Sequence, residues 1–272
     1  MALTEFQRAI CRLISAQRLS SGESYVAGAT ALNVFTQSSR ISRDIDLFHD
    51  TTEAVGVSWS ADRDLLKSNG YLVKVENERP GFVEAEVSKD EETVLMQWTA
   101  DSAFRFFPLI QHEDFGLTLH PFDLATNKVL ALVGRLEARD WIDVINCHEK
   151  IQRLGYLAWA ASGKDPGFSP AAILEQAARS TRYSSTEISA LSFAGSPPDA
   201  GELSRKWHAM LGEGRELISI LPATETGKCV IDKAGNLFSG TVDELDESRK
   251  QGLVSFHEGR IHGALPLPRQ AS

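Results

Sequence analysis

Hydrophobic and polar residues follow two different periods along the first half of the chain. Phe6, Ile10 and Ile14 recur at helical spacing and predict an amphipathic N-terminal helix. Shorter apolar runs, separated by small, polar or proline-containing connectors, are typical of strands. Strands are predicted at residues 25–27, 41–49, 71–76, 82–87 and 93–99. Between them, Thr30 is expected to cap a helix that ends near residue 36, and Ser60 a helix that ends near residue 69.

Helical patterns dominate the second half. Asp123 is expected to cap one helix, and a second is predicted from about residue 140 to residue 153. Further helices are predicted after Ser169 and at residues 185–193, 202–211 and 242–251. Residues 227–239 are predicted to form a hairpin, 253–256 a strand and 266–272 a loose tail.

The order of these elements favours one fold class. A helix, a strand–turn–helix–strand unit and a three-stranded meander predict an α+β fold with a mixed sheet, not a doubly wound sheet. Composition changes near residue 162, where glycine and proline mark a linker. We therefore expect a first domain at residues 1–161, a helical region at 162–221 and a small α+β region at 222–272.

Composition narrows the function classes. Of the 272 residues, 42% are hydrophobic and 24% charged, which is ordinary for a soluble globular protein. No apolar run is long enough to span a membrane, and no secretion signal opens the chain. Three scattered cysteines fit a cytoplasmic protein. A net charge of −9 argues against broad nonspecific binding to nucleic acid. The C-terminal half could still present a local basic face from Arg179, Arg182, Arg205 and Lys206.

Two aspartates in one predicted strand carry the first chemical signal. Side chains at positions i and i+2 of a strand point to the same face, so Asp44 and Asp46 are expected side by side. Such a pair repels unless a positive charge lies between the carboxylates, and a divalent metal ion is the usual one. The small-residue turn at Gly28 and Ala29 begins a helix whose backbone N–H groups can receive an anion. Together these features describe a nucleoside-triphosphate site. An exposed, solvated acid pair is the alternative.

A second segment carries Lys128, Arg135, Asp140 and Asp143. Lys128 and Arg135 are seven residues apart and share one helix face, and Asp140 and Asp143 share a face of the next predicted helix. Lys128 is a candidate contact for triphosphate oxygens. The structural alternatives are a lysine that extends from a core helix to solvent and aspartates that form ion pairs with arginine.

These segments resemble the AbiEii/AbiGii toxin family of nucleotidyltransferases. The matching sequences are GATAL at residues 28–32, RISRDIDL at 40–47, KVLAL at 128–132 with Arg135, and RDWID at 139–143. The resemblance implies a DNA-polymerase-β-like nucleotidyltransferase fold and the toxin half of a bacterial toxin–antitoxin pair. It further implies that Gly28, Ala29, Thr30 and Ser42 hold the nucleotide, with Lys128 and Arg135 on its phosphates. Asp44 and Asp46 would bind Mg²⁺, in a site that takes two ions, and Asp140 or Asp143 would complete the catalytic group.

Two positions depart from the family pattern. Ala29 stands where the family often has a second glycine, which is a tolerable change, and the other departure concerns an acid. A third carboxylate is expected on a later strand, where Gln97 stands, so Asp101 is the candidate third catalytic and metal-binding acid. The resemblance predicts a nucleoside triphosphate as substrate, RNA, tRNA or protein as acceptor, a cognate antitoxin as partner and no membrane association. Three alternatives stay open: a catalytically silent nucleotide-binding relative, a small-molecule nucleotidyltransferase of the antibiotic-modifying kind, and a plain acidic scaffold.

Overall fold

The computed structural model describes residues 3–21, 24–179 and 183–261. These residues form two compact units. The first unit contains the chain up to His120 together with Arg260 and Ile261, and the second contains Pro121–Gly259. The predicted boundaries after residues 161 and 221 do not coincide with this division and stay predictions. Arg182 and the predicted tail at residues 266–272 lie outside the described residues.

The described chain contains ten α-helices and eleven strands. The helices are α1 Glu5–Ser21, α2 Gly28–Phe35, α3 Thr52–Ser68, α4 Pro121–Arg135, α5 Ala138–Lys150, α6 Leu154–Lys164, α7 Pro170–Ala177, α8 Ser185–Ser189, α9 Ala200–Ile220 and α10 Val242–Lys250. The strands are β1 Tyr25–Ala27, β2 Asp44–His49, β3 Leu72–Arg79, β4 Phe82–Lys89, β5 Glu92–Ala100, β6 Phe104–Arg105, β7 Ile110–His112, β8 Gly116–Thr118, β9 Cys229–Asp232, β10 Val254–His257 and β11 Arg260–Ile261. None of these helices has the length and apolarity that a membrane crossing requires.

A seven-stranded sheet organises the first unit. Its strand order is β3-β4-β5-β2-β1-β8-β7. The pairs β2–β5 and β1–β8 are parallel, whereas β1–β2, β3–β4, β4–β5 and β7–β8 are antiparallel. The predicted α+β class with a mixed sheet is therefore confirmed. β1 has its predicted bounds, and the predicted meander is present as β3, β4 and β5.

One face of this sheet packs against helices. Trp98 of β5 is fully buried, contacts Trp59 of α3 edge-on at 4.8 Å between ring centroids, and donates from its indole nitrogen to Asp62 at 2.9 Å. Ile10 and Ile14 of the amphipathic α1 are also fully buried, as their spacing predicts. The opposite face of β4, β5 and β2 carries half-buried positions, and this face holds the predicted acid pair.

Three predicted helix starts are wrong. α2 begins at Gly28, so Thr30 lies inside the helix and does not cap it. α3 begins at Thr52 with Thr51 as its cap, eight residues before the predicted start at Ser60. In α4, Asp123 lies within the first turn, where it is buried and forms an ion pair with Lys164 at 2.8 Å. Each mistaken start is a polar residue that lies inside a helix.

The second unit is mainly helical. Its helix α6 is buried from Leu154 to Ser162 and has no polar face, so its sequence lacks the helical period and the helix was not predicted. Tyr156 and Trp159 of α6 pack with Leu217 of α9 in one hydrophobic cluster. The predicted hairpin is present in a short form, with an antiparallel bridge between Ile231 and Leu237 and backbone bonds from Asp232 N to Asn236 O and from Phe238 N to Val230 O. β9 also pairs with β10, the strand predicted at residues 253–256.

Candidate active site

The first candidate site lies where β1 ends and α2 begins. The chain passes from Ala27 directly into the helix at Gly28, whose φ is +67°. A residue with a side chain adopts this left-handed backbone at a cost of roughly 1–2 kcal/mol, whereas glycine adopts it freely. β1 pairs with β2, and Ala27 stands opposite Asp46. Main-chain pairing therefore makes the glycine turn and the acidic strand neighbours.

Gly28 also leaves room for the Asp46 carboxylate. A Cβ atom on residue 28 would lie 1.8 Å from Asp46 Oδ2 and 2.7 Å from its Cγ. These separations are far below van der Waals contact, so the carboxylate occupies the space that any side chain at position 28 would need. The structure thus brings together two residues that the sequence predicts for one site.

Asp44 and Asp46 share one face of β2. Ile45 and Leu47 have no exposed surface, whereas the two aspartates are half-buried. The alternation confirms the expectation that both carboxylates lie on the same side of the strand. They lie on the face of β2 opposite to the buried Ile45 and Leu47.

Thr30 supports this geometry from inside α2. Its side chain is fully buried, and its hydroxyl donates to the backbone carbonyl of Asp44, which holds the start of β2 against the helix. Gly28 and Ala29 are half-buried, and Ala27, the N-cap residue of the helix that they begin, makes no side-chain cap hydrogen bond. N–H groups in the first turn of a helix have no acceptor within that helix. The backbone N–H groups at the start of α2 are therefore the candidates for the predicted phosphate contact.

The loop before β2 is held from two sides. Gln7 Nε2 donates to the carbonyl of Ser42 at 2.7 Å, and Asn33 Nδ2 donates to the carbonyl of Arg40 at 2.9 Å. Ser42 itself is buried. These bonds fix the path of the chain two residues before Asp44. The predicted contact between Ser42 and a nucleotide stays a prediction.

The expected third acid is absent from the strand beside the pair. β5 runs parallel to β2, and Gln97 stands opposite Asp46. On the other side of β5, Glu84 of β4 stands opposite Gln97. Gln97 Nε2 donates to Glu84 Oε2 at 2.6 Å. Glu84 is the side chain at this site that the sequence reasoning missed.

Asp101 is the predicted third acid. It follows the end of β5, four residues beyond Gln97, which corresponds to about 13 Å along a strand. The residue is exposed, and its amide donates to the carbonyl of His49 at 3.0 Å. Its charge acts instead on Tyr25, whose pKa is raised by burial first, then by Asp50 and, more weakly, by Asp101. The register places Asp101 beside His49, three residues along β2 from Asp46, and its predicted role as a ligand of the same metal stays a prediction.

His49 lies on the same strand but on the other face. It is fully buried, and Nδ1 lies 3.2 Å from the carbonyl oxygen of Thr99. Burial lowers the pKa of His49 from 6.5 to about 4. The imidazole is therefore uncharged at neutral pH and belongs to the packed side of the sheet.

The second unit holds the other predicted group. Lys128 Nζ lies 3.1 Å from Asp140 Oδ1 and 3.2 Å from Asp143 Oδ2. Arg135 donates to both oxygens of Asp140, at 3.0 and 3.1 Å. Both aspartates are fully buried, and Lys128 is buried as well. The structure thus joins these four residues in one ion-pair network, and their predicted roles in catalysis and nucleotide binding stay predictions.

The predicted basic face is only partly described. Lys206 forms ion pairs with Glu149 at 3.0 Å and with Glu202 at 3.5 Å. Its charge is therefore offset locally, which weakens the case for a phosphate-binding surface at this position.

The donor set of the first unit suits Mg²⁺. Among the described residues, no group of three or more histidine, cysteine, aspartate or glutamate side chains is arranged to hold a metal ion. Asp44 and Asp46 offer two carboxylates on one accessible face. Mg²⁺ is commonly bound by one or two carboxylates, with substrate phosphates and water at its other positions. The residues fit a magnesium ion that arrives with a phosphate-bearing substrate.

Solved structures share this fold. A proposed nucleotidyltransferase from Helicobacter pylori superposes with a TM-score of 0.54 and 17% sequence identity, over 80% of this chain and 96% of that chain. JHP933 from Helicobacter pylori gives a TM-score of 0.52 and 17% identity, over 80% and 95%. MenT4, a nucleotidyltransferase toxin from Mycobacterium tuberculosis, gives 0.50 and 12%, over 80% and 87%.

These likenesses show that the chain has a nucleotidyltransferase fold. The match covers nearly the whole length of the two Helicobacter structures, so it extends well beyond a single motif. No protein-family model matches the sequence, and no curated protein matches it.

Proposed function

We propose that this protein is a Mg²⁺-dependent nucleotidyltransferase that transfers a nucleotide from a nucleoside triphosphate to an acceptor hydroxyl. One observation carries the proposal: the Asp46 carboxylate fills the space beside Gly28, at the start of α2 and on the same strand face as Asp44. The proposed backbone anion site and the proposed metal-binding acid pair would thereby be neighbours. The fold shared with structures described as nucleotidyltransferases supports the same reaction.

The proposed reaction is an in-line displacement at the α-phosphate. A bond forms between the acceptor oxygen and the α-phosphorus, the bond to the bridging oxygen of pyrophosphate breaks, and the hydroxyl proton is released to solvent as pyrophosphate leaves. Asp44 and Asp46 would hold Mg²⁺, which when bound neutralises phosphate oxygens and stabilises the attacking and leaving oxygens. The first-turn amides of Gly28 and Ala29 would bind phosphate oxygens and orient the triphosphate.

We infer that the acceptor is a hydroxyl of RNA, tRNA or protein and that the protein is the toxin of a toxin–antitoxin pair of AbiEii/AbiGii type. MenT4 is described as a nucleotidyltransferase toxin, which supports this inference. The net charge of −9 favours an acceptor that is recognised locally over one that is bound along an extended phosphate backbone.

The test combines Mg²⁺, each labelled nucleoside triphosphate in turn, and total RNA or total protein as acceptor. Wild-type protein should transfer label, and Asp46→Asn should reduce transfer on the order of a thousandfold, since metal-held charge stabilisation supplies several kcal/mol. Asp64→Asn is the matched control: it removes the same charge from an exposed side chain of α3 and should leave transfer unchanged. Equal transfer by wild type and Asp46→Asn contradicts the proposal.

A catalytically silent nucleotide-binding relative is the second candidate, and Gln97 favours it because no carboxylate stands at that position to accept a proton. Binding of a nucleoside triphosphate without transfer to any acceptor would support this candidate. Asp101→Asn adds a separate control. Because the register places Asp101 about 13 Å along the strand from Gln97, this variant should transfer label as wild type does.

A further inference from the structure

A polar row crosses three strands of the sheet beside the acid pair. Asp46, Gln97 and Glu84 stand opposite one another on β2, β5 and β4. Directly opposed residues of neighbouring strands point to the same face. All three side chains are half-buried, and their chain neighbours Met96 and Ala85 are fully buried on the other face. Gln97 therefore lies between the two acids.

The hydrogen bond with Glu84 determines which atom of the Gln97 amide, the nitrogen or the oxygen, faces Glu84. A carboxylate accepts hydrogen bonds, so the amide group within 2.6 Å of Glu84 Oε2 is the NH₂ donor. The amide oxygen is attached to the same carbon and is directed away from Glu84. Glu84 and Asp46 stand on opposite sides of Gln97, so the amide oxygen, which this bond does not engage, can turn towards the β2 side of the row.

We propose that Gln97 supplies an uncharged oxygen ligand to the divalent cation held by Asp44 and Asp46, and that Glu84 is the positioning residue that orients this ligand. The inference rests on the proposed function, because that proposal places the cation. Amide oxygens are ordinary ligands of hard cations. Partners of a ligand that lie beyond the metal typically affect affinity by 10- to 100-fold, because they hold the ligand in one orientation.

The charge balance distinguishes this site from one with three carboxylates. Two carboxylates neutralise one divalent cation, and an amide oxygen adds a ligand without adding charge. The chain thereby completes the row without placing a third negative charge beside Asp46. The charge of Glu84 lies on β4, one strand farther from Asp46 than Gln97, where its carboxylate accepts the hydrogen bond of the Gln97 amide.

The experiment measures Mn²⁺ binding by electron paramagnetic resonance in the absence of nucleotide. Glu84→Leu and Gln97→Ala should each weaken Mn²⁺ binding roughly tenfold. Glu86→Leu is the matched control, since Glu86 lies on the same face of β4, two residues away, and stands opposite Leu95 instead of Gln97. It removes the same charge and should weaken binding much less.

A double-variant comparison separates orientation from charge. In the Gln97→Ala background, Glu84→Leu should weaken binding no more than Glu86→Leu does, because no amide is left to orient. The exchange variant, Glu84→Gln with Gln97→Glu, keeps the net charge and the hydrogen bond but moves the carboxylate next to Asp46. This exchange variant should bind Mn²⁺ more tightly than wild type. It tests the role of position 97 as a ligand even if Gln97→Ala fails to fold.

The possible results separate this inference from the proposed function. If Asp46→Asn binds Mn²⁺ as wild type does, the cation site itself is misplaced and both proposals fail. If Asp46→Asn abolishes binding while Glu84→Leu equals Glu86→Leu, or while the exchange variant binds no tighter than wild type, only the role of Gln97 and Glu84 is overturned.

Discussion

Two acid pairs of this protein look alike in sequence and differ in their surroundings. Asp44 and Asp46 are half-buried on a strand face, whereas Asp140 and Asp143 are fully buried in α5. The helical pair is held by cations of its own unit: Lys128 contacts both aspartates, and Arg135 donates to both oxygens of Asp140. Both pairs fit the resemblance equally well as sequence motifs.

The difference teaches which acids contribute most to stability. Removing one member of a buried ion pair leaves its partner charged in a poorly solvated place, which typically costs 3–5 kcal/mol. A carboxylate on an accessible face is partly solvated, so its loss costs little and can relieve repulsion.

The largest expected effect tests this contrast directly. Asp140→Asn should lower the free energy of unfolding by roughly 3–5 kcal/mol, because the buried Lys128 is left with Asp143 alone and Arg135 loses its counter-charge. Asp46→Asn, the matched change in the half-buried pair, should alter stability by less than about 1 kcal/mol. Urea denaturation of both variants measures the two values. If Asp46→Asn is as destabilising as Asp140→Asn, the two acid pairs do not differ in their contribution to stability.

A smaller effect comes from His49, on the packed face of the same strand as Asp46. Its pKa is about 4 in the folded protein, against about 6.5 when unfolded, so between these values only the unfolded state gains the proton. Stability from this group is therefore complete above pH 6.5 and is lost as the pH falls towards 4, by roughly 3 kcal/mol in total. Urea midpoints at pH 7, 5.5 and 4.5 should fall less steeply for His49→Gln than for wild type. If the urea midpoints of both proteins fall equally with pH, His49 does not cause the loss of stability in acid.

The smallest of the three effects concerns the turn that receives the Asp46 carboxylate. Gly28→Ala should cost roughly 1–2 kcal/mol for the left-handed backbone and should also displace Asp46, so nucleotide transfer falls with stability. Gly56→Ala is the control. Gly56 lies in α3 with open space around it, and alanine there should stabilise the protein by up to about 1 kcal/mol. Unchanged transfer by Gly28→Ala would mean that the close approach to Asp46 is not needed.

The sequence predicted the strands of the first unit better than its helix starts. Strand β1 and the meander were predicted because alternation and turn residues are local signals. The start of α2 was misplaced because the helix follows Gly28 without a capping side chain, so no signal marks it. The start of α3 was misplaced because Thr51 and Ser60 are both suitable caps, and the sequence alone does not decide between them.

The candidate site was predictable only where its geometry follows from local sequence signals. The shared face of Asp44 and Asp46 follows from the period of a strand, whereas the partner of Gln97 depends on register. A two-residue turn at residues 90–91 pairs Lys89 with Glu92, and counting back from it places Glu84 opposite Gln97. That turn was the available signal. The ion pairs of Lys128 with Asp140 and Asp143 depend on helix packing, which no local pattern specifies.

The short pairing between β6 and β11 has a consequence for how the chain is made. Phe104 and Arg105 pair with Ile261 and Arg260, although the intervening Pro121–Gly259 form the other unit. During synthesis at roughly 5–20 residues per second, β6 therefore waits on the order of ten seconds for its partner strand to be translated. The first unit begins to fold before the second on the ribosome and finishes after it, so the toxic activity proposed for it could be delayed until the whole polypeptide has emerged.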